Sequence, residues 1–97
     1  MDNFKNKQES IIHWALLGAI SSNVRLITFK THEDDGITIF CTLETESSDD
    51  RSELNNVVNT INSLNENPIN IFLNIDISTD LISSKTIKHS PIYWRKE

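Results

Sequence analysis

The sequence is poor in the residues that define several functional classes of protein. It has one cysteine, two glycines and two prolines among 97 residues. A lone cysteine cannot form an internal disulfide, so nothing favours an oxidising compartment. Two isolated glycines cannot form the glycine-rich loop that holds nucleotide phosphates. The longest apolar run, residues 11–20, is about half the length needed to span a bilayer and contains His13.

The start of the chain carries no targeting signal that we recognise. Residues 1–5 lack the basic-then-apolar layout of a signal peptide. We therefore expect a cytoplasmic protein that does not bind membranes. The length is typical of one domain, and we expect a single domain over residues 1–97.

Negative charge is concentrated in the middle of the chain. The net charge is −5, but residues 32–53 hold eight acids and one base (1 − 8 = −7), whereas the remainder holds eight bases and six acids (8 − 6 = +2). Such a field repels nucleic acid and attracts basic partners. An acidic loop that only keeps the protein soluble explains the pattern equally well. The eight acids are Glu33, Asp34, Asp35, Glu44, Glu46, Asp49, Asp50 and Glu53.

Two segments have the apolar spacing of helices. Residues 4–19 carry two overlapping apolar stripes, one of which includes Trp14, so we expect a helix with a broad apolar face. Ser47 or Ser48 can cap a second helix that ends near Asn65, before Pro68.

The remaining patterns are those of strands. Residues 23–31 and 37–43, joined by an Asp-Gly turn with glycine at positive φ, predict a β-hairpin. Residues 69–77 alternate most clearly, a short edge strand is predicted after Pro91, and residues 79–90 show no clear pattern. The order α-β-β-α-β(-β) predicts an α+β fold, a two-layer sandwich with helices packed on a mainly antiparallel sheet.

Three histidines, His13, His32 and His89, are the candidates for acid–base chemistry. A pair of histidines with a carboxylate can cleave RNA by proton transfer. No sequence spacing links these three, however, so a small ribonuclease is the alternative hypothesis rather than the main one. A regulatory subunit that dimerises through the first helix is a third hypothesis.

The sequence also offers little for nucleophilic or metal chemistry. Cys41 lies on the apolar face of a predicted strand, which is more typical of a small buried side chain than of a nucleophile. The paired aspartates lack the alternating oxygen ligands of a calcium-binding loop. We therefore predict no enzyme, no catalytic residue, no metal and no cofactor.

Two adjacent aromatic residues near the end of the chain, Tyr93 and Trp94, are candidate anchors. Successive strand residues point to opposite faces, so one of the two is expected to face outward. An outward aromatic side chain can anchor a protein partner. It can also stack on nucleic-acid bases, which the acidic field disfavours, or simply pack against Phe72 or a helix end.

Two stretches resemble a known family. Residues 15–25 (ALLGAISSNVR) join the first helix to the first strand, and residues 93–97 (YWRKE) close the chain. Both are similar to the small immunity proteins of bacterial contact-dependent growth inhibition systems, which share a Leu-Gly turn, an Asn-Val/Leu-Arg strand start and a terminal Tyr-x-Arg-Lys-Glu. Ser22 stands where that family often has proline, and residues 79–89 have no clear counterpart.

The resemblance implies a non-enzymatic antidote that binds and blocks the toxic domain of a cognate effector, often a nuclease. The expected partner is then a basic nuclease domain, with no direct nucleic-acid binding, and the free protein is expected to be a monomer or weak dimer. The expected toxin-binding residues are Glu44, Glu46, Asp49, Asp50 and Glu53, then Asp34 and Asp35, with Trp94 or Tyr93 as an aromatic anchor.

Overall fold

The chain folds into two helices and four strands in the order α-β-β-α-β-β, which confirms the predicted fold class. The computed structural model describes residues 3–83 and 85–95. The elements are α1 (Asn3–Ala15), β1 (Val24–Thr31), β2 (Ile37–Leu43), α2 (Ser48–Leu64), β3 (Ile71–Ile77) and β4 (Ser90–Trp94).

The four strands form one sheet in the order β3-β2-β1-β4. β1 is antiparallel to both β2 and β4, whereas β2 is parallel to β3. A parallel pair cannot be closed by a tight turn, so the chain crosses from β2 to β3 through α2. The sheet is therefore mainly antiparallel, as predicted, and β3 and β4 form its two edges.

The core lies between the helices and one face of the sheet. Alternate residues of β2 are buried on that face, as the period of a strand requires. Both helices contribute buried residues at helical spacing. The buried apolar residues are Ile12, Leu16, Val24, Ile27, Phe29, Ile37, Ile39, Cys41, Leu43, Leu54, Val57 and Ile61.

The first helix is shorter than the sequence predicts, because it ends at Ala15 and gives way to turns. Gly18 has a φ of 79°, a left-handed conformation that helps the chain turn towards β1. Of the two apolar stripes, only the one with Ile12 and Leu16 is buried. Trp14 is 70% exposed, because a helix on a sheet buries only one side, and Leu17, in the turn after the helix, is also 70% exposed.

Residues 79–83 and 85–89, between the two edge strands, lie on the face of the sheet opposite the helices. Along this segment the His89 ring stacks on Phe40 of β2, with centroids 4.5 Å apart. The segment and the sheet enclose a cavity of about 390 Å³, lined in part by Thr28 and Ile87. In the described residues of this segment there is no helix or strand, consistent with its lack of apolar periodicity.

The β1–β2 turn differs from the predicted Asp-Gly turn. The residue at positive φ is Asp35, at 61°, rather than Gly36. Gly36 is needed instead for a close approach, since a Cβ there would lie 3.1 Å from the backbone oxygen of Asn70. The same oxygen accepts a hydrogen bond from the N–H of Ile37, so the turn and the start of β3 are held tightly together.

Gly36→Ala should therefore destabilise the fold by about 1–3 kcal/mol, the usual cost of forcing an atom into a packed site. Asp35→Gly, one residue away, removes a side chain from a left-handed position and should leave stability unchanged or slightly higher. Thermal unfolding of both variants tests this. An unchanged melting temperature for Gly36→Ala would show that the turn and Asn70 can separate freely.

Candidate functional site

The eight acids of the middle segment form two separate surfaces instead of one. β2 lies between them, and its seven residues span about 23 Å. One group sits on the β1–β2 turn, and we call it the hairpin surface: Glu33, Asp34 and Asp35. The other lies at the opposite end of the sheet and on the start of α2, and we call it the α2 surface: Glu44, Glu46, Asp49, Asp50 and Glu53.

Asp50 of the α2 surface is a structural residue. Its side chain is 9% exposed and accepts a hydrogen bond of 2.9 Å from the Asn23 amide. Its backbone N–H donates to the Ser47 hydroxyl, which caps the start of α2. The bonds from Asn23 and from the Ser21 hydroxyl lower the pKa of Asp50. This carboxylate is therefore held within the fold and is poorly placed to meet a partner.

Two further carboxylates of the α2 surface are already paired with arginines. Glu44 Oε1 lies 2.7 Å from Arg95 Nη2. Glu46 accepts two bonds from Arg51, of 2.6 and 2.8 Å, and these hydrogen bonds lower the pKa of Glu46. Both pairs are partly exposed, so they remain accessible, but their charge is largely compensated.

Asp49 and Glu53 are the exposed acids of the α2 surface whose carboxylates make no hydrogen bond or ion pair within the described residues. They are four residues apart on α2 and so lie on the same side of it. Asp49 also lies in the first turn of α2, where a negative charge stabilises the helix through its dipole. The α2 surface thus presents two uncompensated carboxylates.

The hairpin surface presents three uncompensated carboxylates. Glu33, Asp34 and Asp35 are exposed, and within the described part of the chain none forms an ion pair. Asp34 accepts one bond from a backbone N–H in the turn, at 3.1 Å. Beside them lies a depression of about 490 Å³ whose wall includes Phe72, which is 60% exposed, and His32. Uncompensated charge and exposed apolar surface therefore occur together here.

The two C-terminal aromatic residues point to opposite faces, as predicted. Tyr93 pairs with Ile27 and packs against the core on the helix side. Trp94 pairs with Leu26 on the face away from the helices and is 43% exposed. It lies at the same end of the sheet as Glu44, but it faces away from the helix layer.

The histidines do not form an acid–base pair with a carboxylate. His13 is exposed on α1, the His32 ring nitrogen lies 2.6 Å from the Thr38 hydroxyl, and His89 stacks on Phe40. No histidine–carboxylate hydrogen bond occurs within residues 3–83 and 85–95.

The other reactive groups of the described residues are a buried thiol and dispersed carboxylates. Burial, with a smaller contribution from the charge of Asp50, raises the pKa of Cys41 to about 12, so the thiolate is not populated near neutral pH. The described residues also hold no group of three or more side chains suited to bind a metal ion.

Sequence reasoning missed the most connected polar residue of this region, Asn23. Its side chain bonds to Asp50 and to both backbone groups of Thr45, at 2.8 and 2.9 Å. The residues around Asn23 in the sequence do not indicate this role, because its hydrogen-bond partners are more than 20 residues away. The only sequence signal was its place in the Asn-Val-Arg stretch that carries the family resemblance.

The fold and its surfaces are those of a small α+β binding domain, with carboxylates displayed at both ends of a four-stranded sheet. A model of the MafI2 immunity protein family matches residues 8–97, and the chain belongs to this family, which is associated with bacterial toxin systems. An immunity protein acts as an inhibitor and binds its cognate toxin. No curated protein sequence matches the chain significantly. None of the described helices is long and apolar enough to cross a membrane.

The bonds to Asp50 predict a pH-dependent contribution to stability. Because its pKa is lower in the folded than in the unfolded chain, where it is near 3.9, this contribution is present above that value and is lost as the pH falls through the folded pKa. Asp50→Asn should cost about 1–3 kcal/mol at pH 7. Urea unfolding should show a smaller difference from the unmodified protein at pH 3.

Asp49→Asn is the matched control, since it makes the same chemical change at the neighbouring, exposed position. It should cost less than about 1 kcal/mol, through the helix dipole alone. Equal effects of the two substitutions would mean that the contacts of Asp50 contribute nothing specific.

Proposed function

We propose that this protein neutralises a basic toxin domain, a nuclease, by presenting carboxylates to it. Membership of an immunity protein family supports toxin binding. The nature of the toxin follows from charge: a nuclease binds phosphates through cationic side chains, and these are the groups that carboxylates attract. The protein has a net charge of −5, which favours encounter with such a partner. The cytoplasmic location inferred from the sequence remains a prediction.

The observation that carries this proposal is the uncompensated charge of the hairpin surface. Its three acids are consecutive, exposed and without an arginine or lysine partner in the described structure. On the α2 surface, by contrast, Arg51 and Arg95 already occupy two carboxylates and Asn23 holds a third. We therefore assign the main electrostatic contact to the hairpin surface, although the sequence had favoured the α2 surface.

The α2 surface has a secondary part in this proposal. Asp49 and Glu53 extend the acidic field, and Glu44 and Glu46 can exchange an arginine of this chain for one of the toxin. Trp94 is the aromatic anchor at that end of the sheet, because its ring is partly exposed whereas Tyr93 packs against the core. A large toxin domain can contact both ends, which are about 23 Å apart.

Two double variants with identical chemistry test which surface steers binding. Glu33→Gln with Asp35→Asn removes two of the three charges of the hairpin surface, and Glu53→Gln with Asp49→Asn removes the two uncompensated charges of the α2 surface, so each changes the net charge by +2. Against the purified cognate toxin domain, the hairpin variant should slow association about fivefold or more at low ionic strength. The α2 variant should slow it less.

The difference between the two variants should shrink at about 0.5 M salt, where charges are screened beyond a few ångströms. Thermal unfolding of both variants establishes that each is folded. A larger effect of the α2 variant would overturn the assignment to the hairpin surface. If neither variant changes the association rate, then carboxylates do not guide binding at all.

A further inference from the structure

The two edges of the sheet differ in how well they are protected against pairing with another strand. β4 has five residues, Pro91 supplies no backbone N–H, and the pairing is irregular where it meets β1. These are the usual means of blocking an edge. β3 has seven residues, no proline, a regular register with β2 and one charged side chain, that of Asp76. Only the β3 edge is therefore open to a further strand.

Two backbone hydrogen bonds between β2 and the ends of β3 define which backbone groups of β3 point outward. The carbonyl of Asn70 accepts a bond from Ile37 of β2, at 2.8 Å, and the N–H of Ser78 donates to Leu43 of β2, at 3.0 Å. The backbone groups of a strand point alternately to its two sides, so the even-numbered residues bond to β2. The outward N–H and C=O groups are those of Ile71, Leu73, Ile75 and Ile77.

The chain on either side of β3 leaves this edge uncovered. Arg25 of β1 donates a bond of 2.7 Å to the carbonyl of Ser78, so the chain turns back over the sheet immediately after β3. The following segment lines a cavity with residues of β1 and β2. In the described part of the protein, β3 pairs with β2 and with no other strand.

We propose that the open edge of β3 binds the same edge of a second copy of this chain. In an antiparallel arrangement with the two-fold axis at Asn74, Ile71 lies opposite Ile77, and Leu73 lies opposite Ile75. These are the residues whose backbone groups point outward, so each opposing pair exchanges two hydrogen bonds. The half-buried side chains of Ile71, Leu73 and Ile75 extend the apolar layer under the helices from one copy into the next, and the exposed Ile77 side chain lies beside Ile71 of the other copy.

The β3 side chains on the face of the sheet away from the helices are also compatible with pairing between two copies. Phe72 of one copy lies opposite Asp76 of the other, so the aspartates do not face each other, and Asn74 lies opposite its own counterpart. An interface in which the same patch serves both partners must be self-complementary in this way. The arrangement satisfies that condition for apolar contacts, hydrogen bonds and charge.

Charge distribution favours a second copy over a basic partner at this edge. From Leu54 to Thr79 the chain has two charged residues, Glu66 and Asp76, although the whole protein carries −5. A basic toxin gains little attraction from such a surface, whereas two acidic copies can meet there with little repulsion. This inference is independent of the proposed toxin binding, because it uses a different surface.

The contact is expected to be reversible. A strand about 23 Å long offers less surface than a standard stable interface of about 1,600 Å². Sedimentation between roughly 1 µM and 1 mM, the range of weak dissociation constants, should therefore show a shift from monomer to dimer. A strict monomer over this whole range would overturn the proposal.

The position of Asn74 on the two-fold axis gives a specific test. Asn74→Lys changes an exposed residue, and it lowers the magnitude of the net charge from −5 to −4 (−5 + 1), so general repulsion decreases. Two lysines placed directly opposite each other should nevertheless raise the dimer dissociation constant roughly fivefold or more. Asn6→Lys, the same change on exposed α1, should leave it unchanged or lower it slightly.

A mixing experiment separates this effect from a folding defect. Asn74→Glu alone should also dimerise poorly, but an equimolar mixture with Asn74→Lys should form heterodimers, because opposite charges then meet on the axis. Dimerisation of both single variants at the level of the unmodified protein would place the contact elsewhere. Failure of the mixture to restore dimers would also reject the proposed register.

Discussion

The amide of Asn23 is the interaction on which the arrangement of this protein most depends. An asparagine side chain has one carbonyl and one NH₂ group, and here both are used across three segments of the chain. The carbonyl accepts from the backbone of Thr45, at 2.9 Å, and the NH₂ group donates to Thr45 and Asp50. The start of β1, the loop after β2 and the first turn of α2 are thereby fixed to one another.

The hydrogen bonds around Asn23 determine which carboxylates of the acidic segment remain available to a partner. Asp50 is directed inward by Asn23, and Arg95, which reaches Glu44 and the backbone of Ser22, closes the same end of the sheet. Part of the acidic segment therefore stabilises the fold, and a count of acids overstates the charge available to a partner. The acids of the turn between β1 and β2 make no such long-range contacts in the described structure, since the only bond that their side chains accept there is the local one from the Gly36 N–H to Asp34.

Local patterns in the sequence predicted most of the fold. The strand β2 and the helix α2, with Ser47 as its cap, have the predicted bounds within a residue, because alternation, helical spacing and capping act over a few residues. The order and number of elements followed from the same patterns. The early end of α1 was not predicted, because two overlapping apolar stripes do not reveal which one the sheet will bury.

The candidate site was harder to predict, because it depends on contacts between distant residues. In the sequence, residues 32–53 form one acidic region. In the structure β2 runs through this region, so the acids before it and those after it lie at opposite ends of the sheet. The sequence pattern also predicts Asp50 as a toxin-binding residue. Its hydrogen bond to Asn23, which lies 27 positions earlier, is not visible in that pattern. Outward exposure of one of the two C-terminal aromatic residues was predictable, since it follows from strand geometry alone.

Three of the residues that carry the family resemblance bond within the scaffold and do not lie on the exposed acidic surfaces. Asn23, Arg25 and Arg95 each bond across the chain at the same end of the sheet, and the N–H of Arg95 itself donates to the carbonyl of Arg25. The hairpin acids take no part in these bonds. A scaffold fixed at one end can hold different residues at the other without loss of its internal contacts. Specificity for one toxin can then reside in the β1–β2 turn, while the fold is maintained by a network about 23 Å away.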